Sequence, residues 1–317
     1  WKKPRYDEKG QRHPPNNWLT YFSESAWTYD EKTDEYYLHL FAQGQPDLNW
    51  ENPETRNAIY DEAMVFWLDK GIDGFRIDTA GTYSKVQTFE DAPVVFPESE
   101  FQPCTKFHHN GPRIHEFHKE MYNKVFSKYD VMTVGEVGHC TREEALKYVS
   151  AKEQEMNMIF IFDLVELGCH RNDKFIFNGY TLKELKKSIE NQSDFLAGSD
   201  GWSTIFSENH DLPRCVTRFG DTSPKFFEKS AKLLALMLTT LTGTLFIYQG
   251  QEIGMTNVPR SWDISEYKDV NTLNYYEKYK KEHGEEEEKI DELMDSINLF
   301  ARDNSRTPVQ WDSSEHA

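Results

Sequence analysis

Along most of the chain, stretches with apolar residues at helical spacing alternate with short, almost wholly apolar runs. Such runs are typical of strands buried on both faces of a parallel sheet. Five are recognisable: IDGFRID, VMTVGE, MIFIFD, WSTIFSENHD and GTLFIYQG. Helical patterns precede them and close the series, at 52–71, 112–129, 142–152, 181–196, from Ser223-Pro224 onward, and at 289–303. This alternation predicts consecutive parallel β/α units.

The first fifty or so residues differ in composition, because they are rich in Pro, Asn, Tyr, Trp and charged residues. They contain one strand-like run, EYYLHLF, at 35–41. The regular part then opens with a clear helix start. Asn52 can cap the helix, Pro53 suits its first turn, and Glu54 faces the positive end of the helix dipole.

Short apolar runs end in the acidic residues Asp78, Glu136 and Asp211. A dinucleotide-binding sheet would need a GxGxxG turn, and the chain has none. Carboxylates at several strand ends suit the active face of a β/α barrel. Because a full barrel has eight strands, about three would lie upstream of Trp1.

The run GFRIDTAG (74–81) places Arg76 and Asp78 on one face of a strand, since residues i and i+2 point the same way. The guanidinium would lower the pKa of Asp78, and a low-pKa carboxylate is a competent nucleophile at neutral pH. On this strand alone, a buried ion pair without chemistry is the favoured interpretation.

Glu136 adds a second carboxylate at the next strand end, where apolar walls and a nearby anion would raise its pKa. Two carboxylates with separated pKa values form the working pair of glycoside hydrolysis. Asp211 could then hold sugar hydroxyls and stabilise positive charge, while His210 donates to a hydroxyl. Each of these residues taken alone could be an ordinary capping or core polar group.

Four aromatic residues in or near the predicted strand-end loops support a sugar ligand: Tyr21, Phe22, Phe41 and Phe162. Most aromatic side chains belong to cores, so these only corroborate the site. The cluster His108, His109, His115 and His118 raises a metal alternative, but HEFH is one residue short of HExxH. We expect no metal and no cofactor.

Composition and net charge limit the classes of partner that this chain is expected to bind. Hydrophobic residues make up 38% and aromatic residues 14% of the 317 residues, enough for a sizeable core, and the net charge of −18 argues against nucleic acid. The apolar run from Leu233 is short for a bilayer, and we interpret it as a buried helix followed by a buried strand. Four scattered cysteines suit free thiols, although their spacing leaves two disulfides open. We expect a cytoplasmic monomer; secretion stays open because the native N-terminus is absent.

Several motifs carry a resemblance. GFRIDTAG, VGEVGH and FSENHD, in this order, resemble the second, third and fourth motif regions of the α-amylase superfamily, glycoside hydrolase family 13. The chain is similar throughout to fungal maltases and oligo-1,6-glucosidases of this family. Further matching segments are QPDLNW (45–50), NGPRIHEFH (110–118), GTLFIYQGQEIG (243–254) and RTPVQW (306–311).

The resemblance implies roles for the acids. Asp78 corresponds to the nucleophile, Glu136 to the acid/base and Asp211 to the residue that stabilises the transition state. It also implies substrate contacts from a wider set: Arg76, Thr79, His210, Arg302 and the four aromatic residues above.

The implied fold is an α/β (β/α)8 TIM barrel, here incomplete, with strands four to eight present. Residues 1–46 would end the inserted domain B, and residues 47–317 would form the C-terminal part of the barrel. The first three strands would precede Trp1 and a β-sandwich domain would follow Ala317. A calcium site of some relatives would lie in the missing part.

The implied activity is that of a retaining, exo-acting α-glucosidase on maltose, sucrose or short malto-oligosaccharides. Thr79 resembles maltases, whereas oligo-1,6-glucosidases typically carry valine there. Leu212 and Asn271 depart from close relatives and concern the second sugar. The alternatives are an oligo-1,6-glucosidase, a transglucosidase or sucrose isomerase, and a catalytically silent relative such as an amino-acid transporter heavy chain.

Overall fold

A computed structural model describes residues 1–138, 140–170 and 173–314 of the chain. It contains two compact units, Trp1–Ile159 and Phe160–Ala317. Within the described ranges, no helix is both long enough and apolar enough to cross a membrane.

The first unit has two antiparallel hairpins and one parallel sheet. Its strands are β1 Arg5–Tyr6, β2 Arg12–His13, β3 Trp27–Asp30, β4 Glu35–Leu38, β5 Gly74–Ile77, β6 Met132–Gly135 and β7 Met158–Ile159. Its helices are α1 Pro53–Ala58, the π-helical turn Ile59–Val65, α2 Phe66–Leu68, α3 Ile114–Lys124 and α4 Arg142–Val149, with 3-10 turns at Thr105–Phe107 and Phe126–Lys128.

The parallel sheet of the first unit has the order β5-β6-β7. Arg76 lies opposite Val134, and Gly135 opposite Ile159. The first three predicted strands are therefore confirmed as parallel neighbours. The third is shorter than its apolar run, because only Met158 and Ile159 pair with β6.

The helix starts follow capping chemistry. The Asn52 side chain accepts a hydrogen bond from the Glu54 N–H, with Pro53 in the first turn, as predicted. Thr141 and Glu144 form a reciprocal capping box at the start of α4.

The buried face of the segment from α1 to α2 differs from the predicted one. The apolar spacing of Ile59, Ala63, Phe66 and Trp67 predicts burial there, yet Phe66 and Trp67 are 48% and 51% exposed. The buried positions are Tyr60, Met64 and Leu68. The segment Ile59–Val65 is π-helical, so its residues do not follow the rotation of an ordinary helix.

A hydrophobic core joins the β3–β4 hairpin and Trp18 to the segment around residues 86–107. Its buried members are Trp18, Ala26, Trp27, Tyr36, Leu40, Ala92, Cys104 and Phe107. The first 41 residues thus pack on a later part of the same unit. Neither stretch has regular periodicity, which is why the sequence pattern did not connect them.

The second unit has an antiparallel hairpin and a parallel strand pair. Its strands are β8 Cys169–His170, β9 Asp173–Phe177, β10 Thr204–Ile205 and β11 Thr244–Leu245. Its helices are α5 Leu182–Asp194, α6 Cys215–Phe219, α7 Phe227–Thr239, α8 Val270–His283 and α9 Glu287–Phe300, with 3-10 turns at Gln251–Ile253, Ile264–Glu266 and Arg302–Ser305. The last two predicted strands are confirmed as the parallel pair β10–β11.

Three predictions need correction in this unit. Helix α7 begins at Phe227, because Ser223 closes a turn by accepting from the N–H groups of Phe226 and Phe227. The apolar run in α7 is buried on one face only, since Leu233 and Leu236 are exposed. Helix α8 was not predicted; it is polar, and only Thr272 is buried.

The core of the second unit lies between β9, the α8–α9 pair and the loop before α8. Its buried members are Phe175, Val258, Tyr267, Leu293, Met294, Ile297, Phe300 and Ala301.

Candidate active site

Asp78 and Glu136 each follow the last residue of a strand in the parallel sheet of the first unit. Ile77 lies opposite Gly135, and the Glu136 N–H donates to the Ile77 carbonyl at 2.9 Å. The two acids are therefore at the same sheet edge. Gly74 permits this pairing: its φ is +147°, and a Cβ there would lie 1.8 Å from the Met132 carbonyl oxygen.

The Arg76 guanidinium contacts both acids. One terminal nitrogen donates to Asp78 Oδ1, and the other donates to Glu136 Oε2 at 2.5 Å. The predicted shared face of Arg76 and Asp78 is confirmed. The Asp78 side chain is 71% exposed, whereas that of Glu136 is 23% exposed. One carboxylate thus meets solvent while the other is half-buried.

Burial raises the pKa of Glu136, and the neighbouring Asp78 raises it further, while Arg76 and the Thr79 N–H oppose the shift. The direction is the one that the apolar surroundings predicted. A carboxyl group with a raised pKa can keep its proton near neutral pH and donate it.

Thr79 follows Asp78 in a left-handed conformation, with φ +43°. Its N–H points to Glu136 Oε2 at 3.5 Å. A β-branched residue seldom adopts this region, and such strain is concentrated at functional sites. Thr79, which the family resemblance associates with linkage preference, therefore follows one acid in the chain and faces the other through its N–H.

Three predicted aromatic contacts form one cluster in the first unit. The rings of Tyr21 and Phe41 stack with centroids 4.9 Å apart, and Phe22 meets Phe41 edge-on at 6.1 Å. Burial raises the pKa of Tyr21 to about 12, and the negative charge of Glu136 contributes to this shift. Tyr21 is thus within electrostatic reach of the predicted acid/base.

Asp211 lies in the second unit and is held by two arginines. Its Oδ1 accepts from Arg302 at 2.7 Å and from Arg306 at 2.8 Å, and His210 Nε2 lies 3.3 Å from its Oδ2. Arg302 also pairs with Asp269 at 3.5 Å. The structure brings together three of the predicted site residues, Asp211, His210 and Arg302.

Arg306 was missed as a site residue, although it opens the segment RTPVQW. Besides Asp211 it binds the His210 carbonyl through Nε at 2.9 Å. Its two contacts could not be read from spacing, because Arg306 is about 95 residues away from Asp211 in sequence.

A buried ion pair supports the loop that carries Asp211. The side chains of Glu208 and Arg214 are 1% and 0% exposed and pair at 2.9 Å. Glu208 also accepts from the Cys215 N–H at 2.6 Å, and Arg214 donates to the Gln249 carbonyl at 2.8 Å. The first residue of the ENHD segment therefore has a structural partner.

Phe162, the fourth predicted aromatic contact, lies in the second unit. It meets the buried ring of Phe206 edge-on, with centroids 5.6 Å apart. His139, the last residue of the VGEVGH segment, lies outside the described residues.

The histidine cluster has other partners in the structure. His118 donates to the Ala80 carbonyl at 2.8 Å, and His115 lies 3.0 Å from the buried carboxylate of Glu155. Among the described residues, no group of three or more His, Cys, Asp or Glu side chains has a geometry suited to a metal ion. None of the four cysteines forms a disulfide within the part of the chain that the structure describes.

Comparison with known proteins identifies the family. The family model for the α-amylase catalytic domain matches residues 1–317. An α-glucosidase of Candida albicans is 63% identical over 320 residues, which cover 100% of this chain and 56% of that protein. This chain belongs to the α-amylase family. The oligo-1,6-glucosidase IMA2 of Saccharomyces cerevisiae is 47% identical, covering 99% of the chain and 54% of its own length.

Solved α-amylase-family structures agree. The isomaltulose synthase PalI of Klebsiella sp. LX3 has a TM-score of 0.87 at 38% identity, over 100% of this chain and 55% of its own. Trehalose-6-phosphate hydrolase of Bacillus licheniformis has a TM-score of 0.83 at 39% identity, over 99% of this chain and 54% of its own. The chain thus has the fold of α-amylase catalytic domains, a TIM-barrel class, and spans about half the length of the relatives it matches.

Proposed function

We propose that the protein carrying this chain is a retaining, exo-acting α-glucosidase. The observation that carries the proposal is the bridge made by Arg76, which contacts Asp78 and Glu136 at the carboxyl edge of one sheet. One carboxylate is open to solvent and the other is half-buried with a raised pKa. Glycoside hydrolysis with retention needs this division between a nucleophile and an acid.

In the proposed first step, a carboxylate oxygen of Asp78 attacks the anomeric carbon of a terminal glucose. The glycosidic bond breaks as Glu136 gives its proton to the leaving oxygen. In the second step Glu136, now ionised, takes a proton from water. That water attacks the same carbon and releases Asp78, so glucose leaves with its α-configuration retained.

Asp211 is the proposed stabiliser of the positive charge that develops at the anomeric carbon. Two arginines on its Oδ1 fix the orientation of this carboxylate. His210 and Arg302 are proposed to bind sugar hydroxyls beside it. Tyr21, Phe22, Phe41 and Phe162 are proposed to pack against sugar rings.

Maltose, sucrose and short malto-oligosaccharides are the proposed substrates. The relatives include proteins named α-glucosidase and oligo-1,6-glucosidase, so the relatives alone leave the linkage open. Thr79 supports the α-1,4 linkage, because it matches the maltase pattern and directly follows Asp78, with its backbone N–H directed at Glu136. Leu212 and Asn271 depart from the family pattern, so we expect the contacts to the second sugar to differ from those in close relatives.

We further propose that the chain supplies strands four to eight of a (β/α)8 barrel. Residues 1–46 would then be the end of inserted domain B, and residues 47–317 the C-terminal part of the barrel. The supporting observation is that all five predicted strands exist and pair in parallel within their own sheets.

A second candidate is a transglucosidase or sucrose isomerase, which would use the same glucosyl-enzyme and pass glucose to a sugar hydroxyl. The likeness to an isomaltulose synthase structure favours it. A silent relative is disfavoured, because Asp78, Glu136 and Asp211 are all present.

The test uses the complete gene product that carries this sequence. Initial release of glucose is measured from maltose, isomaltose and sucrose, with Asp78→Asn and Glu136→Gln as matched variants. We expect cleavage of maltose, and losses in kcat of about 1000-fold or more for Asp78→Asn. Isomaltulose formed from sucrose would favour the isomerase instead, and no reaction with any of the three would contradict the glucosidase proposal and favour a silent relative.

A further inference from the structure

The turn that follows Asp78 is closed on itself. Thr79, at φ +43°, directs its carbonyl to Thr82, whose N–H and Oγ1 both donate to it at 2.9 Å. A left-handed β-branched residue persists only where its surroundings hold it. The conformation next to Asp78 therefore depends on the groups that hold the carbonyls on either side.

Two side chains hold those carbonyls. Tyr83 donates its hydroxyl to the Asp78 carbonyl at 2.7 Å, and His118 donates from Nε2 to the Ala80 carbonyl at 2.8 Å. Both contacts come from outside the strand, His118 from α3. The backbone of the turn is thus anchored immediately before and after Thr79.

Tyr83 is itself held rigidly. Its ring stacks on Trp50 with centroids 4.3 Å apart and planes at 3°. Burial raises the pKa of Tyr83, which keeps its hydroxyl protonated and able to donate. An aromatic ring stacked in this way offers its hydroxyl in one direction only.

His118 is 1% exposed, and burial lowers its pKa to about 4, so the ring is neutral near neutral pH. A neutral ring that donates from Nε2 carries no proton on Nδ1. Within the described residues Nδ1 has no hydrogen-bond partner, so the polar contact of this buried ring is the one with Ala80. Burying Nδ1 without a partner costs free energy. This cost indicates that the hydrogen bond from Nε2 to the Ala80 carbonyl has a role.

We propose that Tyr83 and His118 are positioning residues for the nucleophile. They fix the backbone carbonyls on both sides of Thr79, and so set where the Asp78 carboxylate lies relative to the anomeric carbon and to Glu136. This inference rests on the proposed glucosidase function. Neither residue has a part in proton transfer.

The experiment compares Tyr83→Phe with Tyr60→Phe in the complete gene product. Tyr60 is the matched control: it is buried in the same unit, it packs on Trp50, and its hydroxyl reaches the Phe117 carbonyl rather than the turn. For Tyr83→Phe we expect kcat to fall about 10- to 100-fold, with KM changed less than about twofold. Tyr60→Phe should keep kcat near the parent value.

The second readout is covalent labelling of Asp78. A fluorinated glucosyl fluoride that forms a slowly hydrolysed glucosyl-enzyme is added, and the labelling rate is followed by intact mass. Tyr83→Phe should be labelled about 10- to 100-fold more slowly, in parallel with kcat. A structural role alone would lower Tm and leave this rate unchanged at a temperature where all variants are folded.

His118 is tested by a conservative rescue. His118→Gln can still donate to the Ala80 carbonyl and should retain more labelling activity than His118→Leu at equal Tm. Parent-like labelling of Tyr83→Phe, or equal rates for the two His118 variants, would overturn the positioning role while leaving the glucosidase proposal standing. A parent protein that is never labelled at Asp78 would overturn both.

Discussion

Arg76 and Glu136 form an ion pair of 2.5 Å across two neighbouring parallel strands. Arg76 lies opposite Val134, so Glu136, two residues further along the chain and directly after β6, is on the same face and at the carboxyl edge of the sheet. A single guanidinium therefore touches the half-buried acid and, through its other nitrogen, Asp78. The charge of Arg76 therefore helps to set the pKa of Glu136.

The first prediction concerns the pH profile of Arg76→Gln. Glu136 must be protonated to act as the acid, so activity falls as pH rises through its pKa. The positive charge of Arg76 lowers that pKa. Removing the charge raises it, and the alkaline limb of kcat/KM should move to higher pH, with a lower maximum.

Arg113→Gln is the control, because Arg113 also pairs with two acids, Glu51 and Glu116, at similar exposure in the same unit. Its alkaline limb should match the parent. A limb that stays in place for Arg76→Gln would mean that Glu136 is not the group that titrates.

The second prediction concerns Arg306→Gln. Losing a charge-assisted hydrogen bond to Asp211 should free this carboxylate to rotate. We expect kcat/KM for maltose to fall about 10- to 100-fold. Arg260→Gln removes a guanidinium from an exposed pair with Asp295 in the same unit and should leave kcat/KM unchanged. Equal values for both variants would remove Arg306 from the site.

A third prediction addresses stability. Breaking the buried pair of Glu208 and Arg214 by Arg214→Met leaves a buried charge without a partner. The free energy of unfolding should fall by about 3–5 kcal/mol, measured as a shift of the urea midpoint. The exposed pair of Lys232 and Glu228 is the reference, and Lys232→Met should produce no measurable shift. A small effect for Arg214→Met would show that water reaches Glu208.

The fourth prediction concerns linkage preference. Thr79→Val keeps the shape of the side chain and removes its hydroxyl. If this hydroxyl favours the α-1,4 linkage, the ratio of kcat/KM for maltose over isomaltose should fall about tenfold. Thr79→Ser keeps the hydroxyl and should hold the ratio closer to the parent. An unchanged ratio in Thr79→Val would place the specificity elsewhere.

Much of the architecture can be predicted from local sequence patterns. Buried parallel strands produce short apolar runs, and the acids that end them, Asp78 and Glu136, could be placed at one sheet edge before any coordinates. The capped start at Asn52 was equally clear. In each case the signal lies within a few residues of the feature it predicts.

The failures have a common cause. Helix α8 buries little, so it lacks the apolar stripe that reveals a helix. Tyr60 and Met64 are buried in a π-helical turn, which apolar spacing does not encode. Arg306 contacts Asp211 in the second unit across 95 residues, and His118 contacts Ala80 in the first unit across 38 residues, so only the folded chain brings each of these pairs together.

The central claim is the division of labour between Asp78 and Glu136, and azide tests it directly. An activated aryl α-glucoside is supplied with azide to Asp78→Gly and to Glu136→Ala in the complete gene product, and the glucosyl azide is identified by NMR. With Glu136 removed, azide should intercept the glucosyl-enzyme and give the α-azide, because two displacements retain configuration. With Asp78 removed, azide should attack the substrate itself and give the β-azide. The opposite pairing of variants and anomers would exchange the two roles, and β-azide from both variants would contradict a covalent intermediate.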